Sequence, residues 1–428
     1  MLNEERDLNE ILRGIAQDFG TPCYVYFWEH IRERVGRLRS AFGNRFRISY
    51  AVKSNPHSGI LRRMRSVVDA LDVSSAGEVS RALEADWPPQ KLSFTGPGKT
   101  SGELQTSVDA GIGEIVLESV EEAELVNRIA ALAGRRQRVL MRISPRRVPR
   151  GFGLNMSGKP SQFGIDEEEI DAAVRSVRAL PHVDLCGFHI YSGTQCLDAQ
   201  ALTENYEIFI EIFKRVCSAH RISPEKLIFG SGIGIPYYEN DAPVELAAVA
   251  DKTNRALEAL KTDSAFAATE LVLETGRYLV GEAGFYLTRV IRKKRSRGVD
   301  ICICDGGMNH HLGAAGHLGS VVQRNYRMFK VAAAGNNCDR EQAYTLVGPL
   351  CTTIDTLGRQ VKFNGLEPGD VIAIRSSGAY GATASPIYFI SHPAPREIIV
   401  ESTRDSVRVE NSIELGGRGM TFTAEAAH

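Results

Sequence analysis

Four side chains in this sequence have types and settings that suit chemistry: Lys53, His189, Glu274 and Cys351. Lys53 closes the run Phe46-Arg47-Ile48-Ser49-Tyr50-Ala51-Val52-Lys53-Ser54-Asn55, which is apolar and β-branched enough to be a buried strand. An amine at the mouth of such a strand is desolvated, which favours its neutral, nucleophilic form. The competing reading is a lysine whose stem lies along the strand end while its head stays in water. Leu273-Glu274-Thr275-Gly276-Arg277 sets a carboxylate at the end of another apolar run. Beside a heteroaromatic nitrogen that carboxylate would favour the protonated ring; otherwise Glu274 simply pairs with Arg277. His189 lies in Phe188-His189-Ile190-Tyr191-Ser192-Gly193-Thr194-Gln195 and is either a satisfied core histidine or a group that stacks on a bound ring. Cys351, in Gly348-Pro349-Leu350-Cys351-Thr352-Thr353, offers a thiol, a side-chain type that can donate a proton as a general acid. Its bland alternative is inert filler.

A second set of residues suits a phosphate. Gly230-Ser231-Gly232-Ile233-Gly234 follows an apolar run and precedes a region expected to be helical, and such glycines let backbone N–H groups approach an anion. Ser192 or Thr194 could add a hydroxyl, and Tyr380, between glycines in Gly378-Ala379-Tyr380-Gly381, could reach a phosphate oxygen. An aldehyde-reactive amine, a phosphate loop and a carboxylate for a ring nitrogen together point to pyridoxal 5′-phosphate (PLP), with Lys53 as the Schiff-base lysine. Met308-Asn309-His310-His311 with His317 lacks helical ligand spacing and has only Asp305 nearby, so no metal is expected.

Those residues need a scaffold that gathers them. Apolar runs near 46–52, 67–73, 91–95, 114–118, 138–143, 184–190, 226–230 and 270–274 read as strands. Segments near 29–41, 57–66, 77–86, 101–110, 120–133, 166–179, 199–219 and 242–261 read as the intervening helices. Eight such alternations have the rhythm of a (β/α)8 barrel, with an open doubly wound sheet as the rival. The residues just past the strands are Lys53, Ser74 and Ser75, Thr95-Gly96, Glu118, Arg142, His189, Gly230-Ser231-Gly232 and Glu274. A closed barrel aims all of them at one place, whereas an open sheet spreads them along a line. Beyond Gly284 the strands 285–291, 299–304, 344–347, 370–375, 397–401 and 406–409 follow without long helices. The expected architecture is therefore α/β: a PLP-binding (β/α)8 TIM barrel over 28–282, and an all-β domain from 1–27 and 283–428. A helix over 5–19 and a strand around Tyr24 come first, and the basic run Arg292–Arg297 is expected as a solvated hairpin.

Composition sets outer bounds. The chain has 428 residues, a net charge of -1 and no long apolar stretch, so neither nucleic acid nor a membrane is expected as a partner. The N-terminus is acidic and lacks a signal-peptide core, and the 8 scattered cysteines read as reduced thiols of a cytoplasmic protein.

Taken in order, Tyr-Ala-Val-Lys-Ser-Asn, His-Ile-x-Ser, the glycine loop, Glu-x-Gly-Arg, Cys-Asp-Gly-Gly, Gly-Pro-x-Cys and Gly-Ala-Tyr resemble the alanine-racemase-fold (fold-type III) PLP decarboxylases. That group includes diaminopimelate and ornithine decarboxylases. The resemblance covers nearly the whole chain and implies a decarboxylase acting on an amino acid, built as a head-to-tail homodimer with shared active sites. It implies that Lys53, Asp72, His189, Ser192, Gly232, Gly234, Glu274, Gly276, Arg277 and Tyr380 hold the cofactor. It implies that Cys351 is a general acid supplied by the other subunit, and that Arg142, Asp305, Thr352 and Asp355 meet the substrate.

Two departures bear on substrate. Cys351-Thr352-Thr353 stands where diaminopimelate decarboxylases have Cys-Glu-Ser, and Gly313-Ala314 stands where they have Arg-Pro. The forms Tyr-Ser-Gly-Thr-Gln, Glu-Thr-Gly-Arg-Tyr-Leu and Gly-Pro-Leu-Cys-Thr look more like a biosynthetic-cluster subgroup that includes the butirosin-pathway decarboxylase of carrier-bound glutamate. Arg146, Arg147, Arg150 and Lys159 would give such an enzyme a basic rim for an anionic substrate or an acyl carrier protein. The alternatives are a diaminopimelate or basic amino-acid decarboxylase, a racemase, and a non-catalytic PLP-binding protein. A racemase of this fold has a tyrosine where Cys351 stands, and PLP binders tend to lose the lysine or the cysteine.

Overall fold

The structure, a computed structural model, describes residues 4–318, 324–331, 341–402, 407–413 and 420–422. It divides into two compact units, one made of residues 32–235 and 242–278, the other of residues 1–31, 236–241 and 279–428.

Strand β1 (Cys23–Phe27) belongs to the second unit, and the barrel begins after it. The barrel strands are β2 (Arg47–Ala51), β3 (Ala70–Val73), β4 (Leu92–Phe94), β5 (Glu114–Leu117) and β6 (Gln137–Ser144). After the short β7 (Leu154–Asn155) and β8 (Ile165–Asp166) come β9 (Val183–Ile190), the short β10 (Gly193–Thr194), β11 (Lys226–Gly230) and β12 (Glu270–Thr275). Neighbours run β5-β4-β3-β2-β12-β11-β9-β6, and β6 pairs back to β5, so eight parallel strands close on themselves. Closure settles the choice between barrel and open sheet. The interior is packed: Val116, Leu140, Cys186, Ile228 and Val272 form one buried cluster from five strands.

The loops that leave the strands are set by local chemistry. Ser75, Thr100 and Ser119 each precede a glutamate by three residues, and each hydroxyl accepts the backbone N–H of that glutamate to cap a helix. The glutamates of the first and third caps reach back in turn: Glu78 accepts Ser74 N at 2.7 Å, and Glu122 accepts Glu118 N at 2.7 Å. This fixes the chain at the barrel mouth next to the residues of interest.

The second unit is rich in β-structure. β13 (Gly284–Ser296), β14 (Val299–Cys304), β15 (Met328–Val331), β16 (Gln342–Val347), β17 (Thr356–Phe363), β18 (Val371–Ile374), β19 (Arg396–Ser402), β20 (Val407–Ile413) and β21 (Met420–Phe422) join β1 in a ten-stranded sheet. Wholly buried β1 lies between β13, antiparallel, and β19, parallel. The helix Glu4–Asp18 places Leu12, Ile15 and Ala16 in the core formed by β1, β13, β18 and β19.

The basic run forms the expected solvated hairpin: Arg292–Arg295 pair along β13 with β14, and the chain reverses at Arg297 and Gly298, both at positive φ. The glycine loop precedes a helical segment as expected, with the helix starting at Leu246. Strands β15, β17 and β21 were not anticipated. Cys338 and the first residue of the strand expected at 406–409 lie outside the described residues.

Candidate active site

At the C-terminal ends of the barrel strands, four elements converge. Lys53 sits in a single 3₁₀ turn (Val52–Ser54) directly after β2. Its Nζ is 3.3 Å from Asp72 Oδ2 of β3 and 3.8 Å from Glu274 Oε1 of β12. Glu274 Oε2 is in turn 2.9 Å from His189 Nε2 of β9. Register explains the meeting: Asp72 lies opposite Ala51, and Glu274 lies opposite both Ser49 and Gly230. Asp72, His189 and Glu274 are all but inaccessible, whereas the Lys53 side chain is 38% exposed and set between two carboxylates, so the desolvated amine expected from the sequence is not what the structure shows.

The two carboxyls are driven apart. Burial and the Glu274 charge push Asp72 up to about 6, against the pull of Lys53. Burial also acts upward on Glu274, but the His189 hydrogen bond and the charges of Lys53, His189 and Arg142 outweigh it and hold the group down to about 2. One carboxylate therefore stays charged across the working range while its neighbour titrates near it.

The glycine loop after β11 is clamped on several sides. Ser231 N donates to Glu274 O, Cys196 N donates to Gly232 O and Gly234 N donates to Cys196 O. Gln195 brackets Ile235, its Oε1 accepting from Ile235 N and its Nε2 donating to Ile235 O. A Cβ at Gly232, which has φ +65°, would sit 2.6 Å from the Phe152 ring, and one at Gly276 would sit 2.7 Å from Ser54 Oγ. Beside this cradle Ser192 Oγ and His189 Nδ1 are buried with no hydrogen-bond partner among the described residues. A phosphate would give Ser192 Oγ the partner it lacks, and with the Lys53 amine, the Glu274 carboxylate and the glycine loop this set fits PLP.

Arg142 is committed elsewhere. Its Nη1 lies 2.8 Å from Glu118 Oε1, both side chains are buried, and Phe163 covers the guanidinium at 4.6 Å. Glu118 Oε2 also accepts Gly164 N. Glu118, Phe152, Tyr191 and Gln195 were not assigned roles from sequence. The first was visible only as a polar strand end, and the other three act through contacts distant in sequence, Tyr191 with its ring centroid 5.7 Å from Lys53 Nζ.

The second unit holds Cys351, Thr352, Asp305, Asp355 and Tyr380. Cys351 is exposed, while the other six described cysteines are buried. Burial pushes Cys23, Cys186 and Cys217 up to about 12, and Cys196 and Cys302 up to about 11. Thr352 N donates to Leu350 O in the turn that presents the thiol. Asp355 is buried and accepts Met308 N at 2.7 Å and Leu350 N at 2.9 Å, tying that turn to the Gly306–Asn309 loop. Asp305 accepts Thr288 Oγ1 and Arg289 N, each at 2.8 Å, and the Thr21 hydroxyl. Tyr380 is half-buried at φ 54°. His310 and His311 bond Pro393 O and Ser377 Oγ, and burial lowers them to about 4 and about 3. Among the described residues no group of three or more His, Cys, Asp or Glu side chains could hold a metal ion.

Residues 28–281 match the family described as pyridoxal-dependent decarboxylase, pyridoxal binding domain. The chain belongs to that family. Members of known activity resemble it along most of its length. The L-glutamyl-[BtrI acyl-carrier protein] decarboxylase of Niallia circulans is 32% identical over 389 residues, covering 91% of this chain and 90% of the relative. The diaminopimelate decarboxylase of Zymomonas mobilis is 30% identical over 411 residues, covering 94% and 93%. Among solved structures, the diaminopimelate decarboxylase of Helicobacter pylori in complex with L-lysine superposes with a TM-score of 0.81 at 26% identity. That match covers 93% of this chain and 95% of the other. This decarboxylase is therefore a PLP-dependent carboxy-lyase of amino-acid chemistry, with a barrel and a β-rich C-terminal region. No helix among the described residues is long and apolar enough to cross a membrane.

Proposed function

We propose that this PLP-dependent decarboxylase removes the α-carboxylate of an L-amino acid carried on an acyl carrier protein through its side-chain carboxyl, which leaves the α-carboxylate free to depart. The observation that carries the chemistry is the Lys53 amine held between Asp72 and Glu274, with Glu274 also bonded to His189. The carrier-bound substrate is supported by the 32% identical relative that acts on a carrier-bound glutamyl group. It is also supported by Thr352 and Gly313-Ala314, which remove the charged side chains that would read a free diamino acid.

In this reading Lys53 would hold PLP through its aldehyde. Glu274, held in its charged form, would favour a protonated ring nitrogen, and His189 would lie against the ring. Ser192, Gly232, Gly234, Gly276, Arg277 and Tyr380 hold the phosphate and its surroundings. When bound, PLP supplies the electron sink that accepts the pair left on Cα as CO2 departs. Cys351 then gives a proton to Cα, from the neighbouring subunit of a head-to-tail homodimer in the cytoplasm. Asp305, Asp355 and Arg142 act as positioning residues, because the structure already commits their polar atoms to neighbours. The domain boundary lies at residue 28 and near residue 282.

Borohydride reduction of the PLP-loaded protein followed by peptide mapping tests the amine, and label at Lys53 is expected. CO2 release from free and carrier-linked L-amino acids tests the substrate, with the carrier-linked member expected to react fastest. An unlabelled Lys53 overturns the chemistry; preference for a free amino acid overturns the carrier.

A further inference from the structure

A cavity of about 730 Å³ lies in the barrel unit between the loop after β6 and the helix Ala199–His220. Arg146, Arg147, Lys159 and Arg215 line it against only two carboxylates, Glu167 and Glu211. None of Lys53, His189 or Glu274 contributes to its wall, so it is distinct from the catalytic cluster. Its volume falls in the range of about 300–1,000 Å³ usual for ligand sites.

Arg146 and Arg147 are available to an incoming anion. Arg147 lies 3.6 Å from Glu204 and Arg146 3.6 Å from Glu168, long exposed pairs of a kind that contributes little. Arg215 is held more firmly, 3.3 Å from half-buried Glu167 and 3.7 Å from Asp171. A phosphate oxygen offered to arginine forks makes shorter, charge-assisted bonds and displaces the two exposed pairs readily. The stretch 145–165 contains Arg146, Arg147, Arg150 and Lys159 and not one acidic residue.

The same loop is stitched to the cofactor cradle. β7 pairs with β10, Met156 N donates to Ser192 O at 2.8 Å, and Phe152 packs against Gly193 and Gly232. An occupant of the cavity is thereby held in fixed register with Ser192 and the glycine loop.

We propose that this cavity is the docking seat of the acyl carrier protein, with the phosphodiester of its prosthetic arm among Arg146, Arg147, Lys159 and Arg215. The inference rests on the carrier-bound reading of the substrate. Charge complementarity commits it to this occupant: the seat is cationic, and an acyl carrier protein brings both an anionic arm and an acidic surface.

The test uses the PLP-loaded full chain and the charge-reversal variant R146E/R147E/K159E. The probes are the carrier protein of the Niallia circulans relative loaded with L-glutamate through the γ-carboxyl, and γ-L-glutamyl-pantetheine, which has the thioester and a free α-carboxylate but neither phosphate nor protein. Carrier binding is read by fluorescence anisotropy at low and high salt, and turnover by CO2 release. The wild type should bind the carrier in a salt-sensitive way. The variant should bind about 30-fold more weakly, with KM for the loaded carrier raised in step and kcat within about twofold, because rim charges act on encounter and affinity. Turnover of γ-L-glutamyl-pantetheine should be the same in both, which also shows that the variant is folded. A variant that binds and turns over the carrier as well as wild type overturns the docking seat and leaves the substrate reading standing. A variant that also loses γ-L-glutamyl-pantetheine turnover assigns the loop to the catalytic centre and overturns the seat. Wild type that neither binds nor turns over the carrier, yet decarboxylates free amino acids, overturns both.

Discussion

Replacing Glu118 by Gln isolates the most exacting electrostatic contact in the barrel. The change is nearly isosteric but removes the charge 2.8 Å from Arg142, whose side chain is 6% exposed. Phe163 covers the guanidinium, so water cannot take the place of the carboxylate. Breaking a buried pair from one side costs about 3–5 kcal/mol, because the remaining charge stays desolvated. At roughly 2–4 °C per kcal/mol for a unit of this size, the melting temperature of the cofactor-free protein should fall by roughly 6–20 °C. Gly164 N, which donates to the second Glu118 oxygen, can still find the amide oxygen, so the loss comes mainly from charge. The double variant E118L/R142M should recover most of the stability, since an apolar replacement of a buried pair is often neutral or better. It should also separate two roles for Arg142. As an electrostatic support, Arg142 helps hold Glu274 down at about 2, so its loss should lower kcat with KM little changed. As a substrate ligand its loss should raise KM. Denaturant melts of wild type, E118Q and the double variant, with kinetics on wild type and the double variant, give the answer. A cost below about 1 kcal/mol for E118Q would show that the guanidinium is hydrated and that the argument from burial is wrong.

Other perturbations probe the remaining parts. Cys351→Ala should retain PLP absorbance but slow CO2 release by about 10²–10⁴, the usual worth of a positioned acid; undiminished turnover removes the thiol from the mechanism. Gly276→Ala places a Cβ 2.7 Å from Ser54 Oγ and 3.0 Å from Ala51 O, on either side of Lys53. Overpacking of that kind costs about 1–3 kcal/mol, so PLP affinity measured by fluorescence quenching should fall about 5-fold or more. Unchanged affinity would mean that the turn adjusts freely. Burial, reinforced by Asp72, raises Glu78 from 4.5 to about 7, against the Ser74 N–H bond and the Lys53 charge. The native state then favours the protonated acid, so this contribution is complete below pH 4.5 and is lost as pH rises through about 7. Glu78→Gln should flatten the stability–pH curve of the apoprotein over that window by at most about 3 kcal/mol; parallel curves for the two proteins would refute the shift.

The barrel was legible because its signals are local. Each strand is a short apolar run, several helices are announced by a cap such as Thr100-x-x-Glu103, and chemistry-bearing residues interrupt the apolar pattern at strand ends. Lys53, His189 and Glu274 could therefore be found one at a time, and closure of the sheet supplied their meeting. Contacts between distant segments left weaker traces. Nothing local marks Glu118 as the partner of Arg142, or Asp355 as the acceptor of Met308 N and Leu350 N. β17 was missed because Arg359, Gln360 and Lys362 break its apolar pattern. The run Arg292–Arg295 was legible as a solvated hairpin because its charges have to stay in water, and they stand on a partly exposed hairpin face.

Protein synthesis meets a scheduling problem in β1. The ribosome releases Cys23–Phe27 early, yet its two flanking partners, Gly284–Ser296 and Arg396–Ser402, are made only after the whole barrel. The barrel strands all lie between and can close in the meantime. Throughout that interval a five-residue apolar strand waits with both edges open, a template for pairing with other nascent chains. A chaperone that shelters the emerging N-terminus should therefore raise the soluble yield more than one acting after release, and transcripts cut short after β12 should give aggregates rather than free barrels.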